Sequence, residues 1–426
     1  MAEMVKTPAP VPSSHPPEPV VSAWAPLEEP LFRSMWIAAI ISYIGTWMQA
    51  VGAGWMMTII SHGSPLMVGL VQAAVALPVF LVILPAGALA DMVDRRRFLL
   101  ATQGWMVLAS GTLGALTLCN VVTPRVLLAF TFLLGLGAVM NDPAWQAITP
   151  ELVPAEQHAA AVAMNSAGFN VARAVGPALG GLVIAAAGSG TAFLLNALSF
   201  FGVIVVLYRW KRPAPERMET AALWNAVAGG IRYVRQSPVV KSVLIRTGAF
   251  SVGAIALLAL LPILARPFGA TGYGVLVGCF GLGALAGATL LPRLRRRLSV
   301  DGLVAAAIVI FAAMTFVAGR AESYGWLCLV MATAGAAWIG ILACLNTAAQ
   351  TMSPPWVRAR ALSMYLLVLQ GGMAIGSTMW GALATRVGLP NALLCSALAL
   401  VAGLATIRKH RLSAQHLAMA PSVVRD

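Results

Sequence analysis

The sequence predicts an all-α integral membrane protein with 12 transmembrane helices, arranged as two pseudo-symmetric six-helix bundles. Hydrophobic residues make up 59% of the 426 positions, and only 10% are charged. So few charged residues could not cover the surface of a soluble protein of this length. A bilayer-spanning helix needs about 20 apolar residues, and 12 apolar runs of that order follow one another along the chain.

A repeat with a constant offset of 200 positions supports the division into two halves. The matching positions are Gly87 and Gly287, Arg95 and Arg295, Pro154 and Pro354, Met164 and Met364, and Gly181 and Gly381. An unchanged register over most of the chain indicates the duplication of a helical bundle. Parallel repeats of this kind, related about an axis along the membrane normal, are typical of one transporter architecture.

The apolar runs predict where the spans lie. In chain order they cover 33–59, 66–90, 98–120, 125–148, 158–187, 190–208, 240–265, 271–292, 301–319, 323–349, 358–386 and 389–407. The loops between them are short, as packed neighbouring helices require.

The remaining segments are predicted to lie on one side of the membrane. Residues 1–30 contain eight prolines and predict a disordered N-terminal tail. The basic stretch 209–239 predicts a linker with an interfacial helix, and residues 409–426 form a second tail. The two six-helix bundles therefore occupy 31–208 and 240–408.

Basic residues predict the orientation of the chain. Of the 28 lysines and arginines, 22 lie in segments or at span ends on the side of the termini, four lie in loops or at span ends on the other side, and two, Arg173 and Arg246, lie deeper within spans. Positive residues accumulate on the cytoplasmic side of membrane proteins, so both termini are predicted to be cytoplasmic. The basic residues that give the net charge of +14 flank apolar runs, where they orient the chain. We therefore expect no nucleic-acid partner.

The loop after the second span reads Gly-Ala-Leu-Ala-Asp-Met-Val-Asp-Arg-Arg-Arg, from Gly87 to Arg97. With this motif the chain resembles the transporters of the major facilitator superfamily over nearly its whole length. It departs from the family pattern at Met92, where a basic residue is usual, and at Asp94, where glycine is usual. The motif in this form, together with residues 45–49, is similar to the enterobactin-exporter branch of the transmembrane secretion effectors.

The resemblance implies a conformational latch built from Gly87, Asp91, Arg95, Arg96 and Glu151. In the family, the aspartate of this loop lies near the start of the eleventh helix and helps to hold the outward-open state. Asp91 would therefore face the positive end of that helix dipole, and Arg95 would reach Glu151 at the end of the fourth helix. The alternative is that the arginines only enforce orientation.

The fifth span carries Gly176, Pro177, Gly180 and Gly181 in the pattern Gly-Pro-x-x-Gly-Gly. This pattern resembles the motif of drug and metabolite antiporters in the same superfamily, which implies export. Glycines allow a neighbouring helix to approach closely, and proline bends its helix. The sequence therefore predicts a flexible gate, with ordinary close packing as the alternative.

Three ionisable residues lie within spans and are candidates for the transport pathway. Asp142 and Arg246 are predicted to approach one another when the cytoplasmic side is closed, and protonation of Asp142 would loosen that pair. The alternative is a fixed structural pair. Arg173 lies near mid-membrane, where it would either attract an anionic substrate or bind carbonyls freed at Pro177.

Polar and aromatic side chains within spans complete the predicted pathway. Gln49 and Asn346 are predicted to line the cavity, because the first and tenth helices do so in the family. Trp145 is a candidate for stacking on a substrate. Polar residues also join helices to one another in lipid, which is the alternative for the amides.

These features predict a secondary exporter of a small amphipathic, siderophore-like metabolite across a bacterial inner membrane, with proton antiport by alternating access. The expected partners are a small-molecule substrate, protons and the lipid bilayer, and we expect a monomer. A broad multidrug efflux transporter is the first alternative, and a non-transporting membrane sensor or scaffold is the second.

No enzymatic activity is predicted. The five histidines are scattered, and the five cysteines show no metal spacing, so a catalytic or metal cluster is not expected. Because a Walker-type phosphate-binding motif is absent from the sequence, ATP is not the predicted energy source. We expect neither a metal nor a cofactor.

Overall fold

A computed structural model of the protein describes residues 22–210, 237–354 and 357–409. Within these ranges, the side chains of residues 83–92, 239, 359, 408 and 409 lie outside the description. Most of the tails and of the predicted linker 209–239 also fall outside the described residues.

The described residues contain 11 helices that are long and apolar enough to cross a membrane. The longest, His158–Arg209, has 52 residues and is broken at Gly188, where φ is 81° and ψ is 166°. We call its parts α5 (158–187) and α6 (189–209), and each is about as long as a bilayer span requires. The other helices are α1 (Pro30–Ile60), α2 (Pro65–Met92), α3 (Arg95–Leu118), α4 (Pro124–Ile148), α7 (Pro238–Leu264), α8 (Gly269–Arg295), α9 (Val300–Ala318), α10 (Tyr324–Thr351), α11 (Arg358–Val387), α12 (Leu389–Gly403) and α13 (Ala405–Lys409).

The backbone repeats the break at Gly188 in the second half. Gly388, which lies 200 positions further on, separates α11 from α12 with φ 83° and ψ 159°. A positive φ is accessible to glycine because it lacks a Cβ atom. The predicted fold of 12 spans in two pseudo-symmetric halves is confirmed.

Residues 25–28 differ from the expectation of a disordered tail. They form a 3-10 helix, Ala25–Glu28, which leads directly into α1. Ala25 and Pro26 are buried, and Leu27 packs against the cluster that contains Trp210. Burial of these apolar groups beside the end of α6 compensates for the entropy of ordering the segment.

Two faces of the molecule serve as references. The odd-numbered spans begin, and the even-numbered spans end, on the face where the described chain itself starts and stops. We call this the terminal face, and the opposite one the distal face. The first half (α1–α6) has a core near the terminal face around Phe32, Met35 and Leu99. The second half has an aromatic core in which Phe250 and Trp338 have ring centroids 5.3 Å apart.

The two halves meet through glycines on the distal side. A Cβ atom added at Gly181 of α5 would lie 2.7 Å from the carbonyl oxygen of Ala270 in α8. A Cβ atom at Gly381 of α11 would lie 2.7 Å from the carbonyl oxygen of Pro65 in α2. Backbones therefore touch at these two crossings, and no larger residue fits.

The contact between α5 and α8 does not continue to the terminal face. On α8 it runs along Gly274, Gly278 and Gly281, which face carbonyl groups of α5. The helical period extends this stripe to residues 285, 288 and 292, and all three are exposed. The opposing stripe of α5 continues to Ala163 and Ala167, which are also exposed. The halves thus separate along this crossing, and the space between them opens toward the terminal face.

Candidate transport site and gate

Asp94 begins α3, and its side chain caps the helix. The carboxylate accepts a hydrogen bond from the backbone N–H of Arg97 at 2.9 Å. Aspartate at this position satisfies a backbone donor that the helix leaves unpaired. The departure from the family's glycine therefore has a local structural reason.

Arg95 ties the start of α3 to the end of α4. Its Nη1 donates to Glu151 Oε1 at 2.8 Å and to the carbonyl oxygen of Ala147 at 3.4 Å. The structure thus brings together the arginine and the acid that the sequence paired. Because their side chains are 30% and 27% exposed, the ion pair alone contributes at most about 1 kcal/mol. The burial and side-chain contacts of residues 83–92, which include Gly87 and Asp91, lie outside the description, so the latch stays a prediction.

Arg96 binds the end of α6, a contact that the sequence analysis did not predict. Its Nε and Nη2 donate to the carbonyl oxygens of Leu207 at 2.9 Å and Tyr208 at 2.7 Å. These carbonyls belong to the last turn of α6 and carry partial negative charge. The carbonyl of Leu207 also accepts the backbone N–H of Trp210 at 3.3 Å. Arg96 therefore fixes the end of α6 inside the first half.

Replacement of Arg96 by alanine is expected to lower the free energy of unfolding of the first half by about 1–2 kcal/mol, because two charge-assisted bonds are lost. Thermal unfolding of the purified protein in detergent measures the effect. Arg97→Ala is the matched control, since Arg97 is exposed and should change the midpoint little. An equal shift for both variants would contradict the capping role.

The glycines of the antiporter-like motif in α5 contact two different neighbouring helices. Added Cβ atoms would lie 2.7 Å from Trp47 Cβ at Gly176 and 2.8 Å from Met48 Cα at Gly180, so both glycines face α1. Gly181 instead faces α8 in the other half.

Pro177 contributes to the contact with α8. It has no N–H group, so the carbonyl of Arg173, four residues earlier, loses its helical partner. A Cβ atom added at Gly281 of α8 would lie 2.9 Å from that carbonyl oxygen, and Gly274 packs on the carbonyl oxygen of Pro177 itself. The motif therefore sets how closely the two halves approach.

Arg246 and Asp142 are not brought together. Arg246 is 3% exposed, and its Nη1 forms an ion pair with Asp301 at the start of α9. The side chain thus points into the second half, toward α9. Asp142 is exposed on α4. In this conformation the predicted pair is replaced by Arg246 and Asp301.

Arg173 differs from Arg246 in that no acidic residue pairs with it in the described part of the chain. Its guanidinium makes no hydrogen bond or ion pair with any residue in the described part of the chain, and its Nε is buried. The alternative in which carbonyls freed at Pro177 bind it is therefore not observed, because the carbonyl that Pro177 frees faces α8.

Gln49 lies inside the first half and not in the cavity. It is 8% exposed, and its Oε1 accepts hydrogen bonds from Ser110 Oγ and Asn196 Nδ2, both at 2.5 Å. These bonds join α1 to α3 and α6. The cavity assignment of Gln49 is therefore wrong in this structure, and the alternative of a bond between helices is correct.

Trp145 is also directed into the first half. It is 8% exposed and packs in the core cluster of Phe32 and Leu99, so it offers no surface for stacking on a substrate. Asn346 is half-buried on α10 and accepts a hydrogen bond from Gln350 Nε2 at 2.5 Å. This pair lies on a single helix, one turn apart.

Three aromatic residues that the sequence analysis did not select form a cluster between α1 and α5. The ring of Phe169 lies 5.4 Å from that of Tyr43 and 6.3 Å from that of Trp47, both nearly edge-on. The available signal was spacing, since Tyr43 and Trp47 are one turn apart on α1 and Phe169 is one turn before Arg173 on α5.

Two similar helical halves, joined through glycines and open on one face, define a transporter of the major facilitator type. The chain belongs to the transmembrane secretion effector family of this superfamily, which it matches over residues 21–424. The predicted family is therefore confirmed, and the protein is a multi-pass membrane transporter and not an enzyme.

Known relatives share moderate similarity with parts of the chain. The staphyloferrin A transporter of Staphylococcus aureus is 28% identical over 170 residues, which is 40% of this chain and 43% of that protein. The enterobactin exporter EntS of Escherichia coli is 27% identical over 241 residues, or 55% and 56% of the two chains. The matched segments thus span about half the length of these relatives.

A solved structure shows the same fold over nearly the whole chain. A bacterial homologue of the human lysosomal transporter Spinster superposes with a TM-score of 0.72 and 15% identity, covering 93% of this chain and 99% of that one.

Proposed function

We propose that the protein is a secondary active exporter of a small amphipathic, siderophore-like metabolite, which it exchanges for protons across a bacterial inner membrane. The cargo binds between the two halves near the middle of the membrane. The halves then rock so that the binding space opens alternately to each side.

The observation that carries the proposal is the asymmetric opening between the halves. The glycine crossings close the distal side, whereas α5 and α8 separate toward the terminal face. Most basic residues of the sequence lie on the terminal side, which supports a cytoplasmic location for that face. A space open to the cytoplasm is the state in which an exporter loads its cargo.

Two charged groups of the first half support proton coupling and a partly anionic cargo. Asp142 is exposed on α4, where it can exchange a proton with the open space. Arg173 is a cation without a protein partner among the described residues. Ionisable groups within membrane spans are costly, and they mark ion and substrate pathways.

Transport by the purified protein in liposomes tests the proposal. We expect an imposed pH gradient to drive transport of the catecholate siderophore enterobactin, and Asp142→Asn to reduce that rate at least about tenfold, as loss of a proton-coupling group would. Glu322→Gln is the matched control, because Glu322 is exposed just before α10 and should leave the rate unchanged.

The other outcomes separate the alternatives. Equal transport of enterobactin and of the cationic dye ethidium would favour a broad multidrug exporter. Uptake in the opposite direction would indicate an importer. If neither compound moves along the gradient, a sensor or scaffold becomes the better interpretation. An unchanged rate in Asp142→Asn would place proton coupling elsewhere.

A further inference from the structure

Arg173 cannot reach water at either membrane surface. It lies 15 residues after the start of α5 and 14 before its end, which is about 21–23 Å from both at 1.5 Å per residue. This distance is several times the length of an arginine side chain, so the guanidinium cannot extend to the lipid headgroups as it can near a helix end. Its charge must therefore be compensated by protein groups, or by water or an anion in the space between the halves.

The surrounding face of α5 is polar and borders the central space. Ser166, Phe169, Asn170 and Arg173 follow the spacing i, i+3, i+4, i+7 and therefore share one side of the helix. This side lies between the stripe that packs on α1 and the stripe that packs on α8.

On the opposite side of α5, the helix surface between these two packing stripes has a different composition. It carries Val171, Val175 and Leu182, which are 50%, 42% and 53% exposed. Wholly apolar exposed residues suit contact with lipid. The polar side with Arg173 therefore faces the space between the halves.

An aromatic surface adjoins the guanidinium. Phe169 is 41% exposed and lies one helical turn from Arg173 on the same side. Tyr43 and Trp47 of α1 pack against its ring edge-on. This packing holds the Phe169 ring in place without covering it, so its exposed area remains available to a planar ligand group.

We propose that Arg173 and Phe169 form a binding subsite for an aromatic ring that carries a negative charge, such as a ring carboxylate or a catecholate. The guanidinium binds the anionic oxygens in its planar fork, and the exposed Phe169 ring contacts the aromatic group. The inference deepens the proposed export function, on which it rests, by naming the charge and shape of the cargo group.

Binding to the full-length protein in nanodiscs tests the subsite. The probe is 2,3-dihydroxybenzoate, and cyclohexanecarboxylate serves as an anion of similar size without an aromatic ring. We expect Arg173→Gln to weaken binding of both anions about 10–100-fold, as loss of charge-assisted hydrogen bonds does. Arg173→Lys should restore only part of the affinity, because it keeps the charge but not the planar fork. Arg33→Gln is a control at an exposed arginine of α1.

Phe169→Leu tests the aromatic part separately. It should weaken binding of 2,3-dihydroxybenzoate about three- to tenfold, as expected for the loss of one aromatic contact, and should leave cyclohexanecarboxylate unchanged. Circular dichroism and thermal unfolding identify variants that fail to fold. Because Arg173→Lys keeps the positive charge, an affinity above that of Arg173→Gln distinguishes lost recognition from lost structure.

The results also separate the subsite from the transport function. Wild-type affinity in Arg173→Gln, or no binding of 2,3-dihydroxybenzoate to the wild type, would overturn the subsite even if gradient-driven transport of enterobactin proceeds. Arg173-dependent binding without any gradient-driven transport would support the subsite and contradict export.

Discussion

Gly181→Val is expected to reduce transport at least about tenfold while the two halves remain folded. The new Cβ atom would lie 2.7 Å from the carbonyl oxygen of Ala270 and 3.0 Å from the Cα atom of Gly274. Both are backbone atoms of α8, so the helices must move apart. Overpacking of this kind costs about 1–3 kcal/mol, and every 1.4 kcal/mol is a factor of about ten in an equilibrium. The variant should therefore favour a state that is open on the distal face.

Two measurements separate this effect from misfolding. Spin labels at Asn120→Cys and Arg320→Cys, in a background without the native cysteines, report the distance across the distal face, where both residues are exposed. We expect that distance to increase in Gly181→Val. Gly202→Val is the matched control, because no atom of the described ranges lies within 4 Å of a Cβ atom added there. Normal transport by Gly181→Val would show that closure does not need this contact.

Replacement of Gln49 by leucine is expected to lower the free energy of unfolding by about 1–3 kcal/mol. Asn196 Nδ2 would lose its acceptor, whereas Ser110 Oγ keeps a second bond to the carbonyl oxygen of Phe193 at 2.8 Å. Hydrogen bonds between membrane helices average about 0.6 kcal/mol, so most of the effect comes from the amide left without a partner.

Steric trapping in bicelles measures the unfolding free energy, and the binding assay with 2,3-dihydroxybenzoate measures the affinity. Thr46→Val is the control, because among the described residues Thr46 bonds only to the carbonyl of Ser42 on its own helix. A stable Gln49→Leu protein that no longer binds 2,3-dihydroxybenzoate would restore the cavity role predicted from the family resemblance.

Helix number, duplication and family could be predicted from the sequence because they depend on length and local pattern. A span needs a run of apolar residues whatever its neighbours are. The constant offset of 200 positions relates Gly188 to Gly388, and both adopt the same backbone conformation. The contact between Arg95 and Glu151 could also be predicted, since the resemblance to the family implied both partners.

The direction in which each side chain points was decided only by the tertiary structure. Gln49, Trp145 and Arg246 were all expected on the transport pathway, yet each is buried within one half. In a soluble protein the polar side of a helix marks its exposed surface, but in lipid the outer surface and the packed interior are both apolar. The sequence therefore established that polar groups lie within the spans. Packing alone determined that Gln49 joins three helices and that Arg173 is left facing the opening.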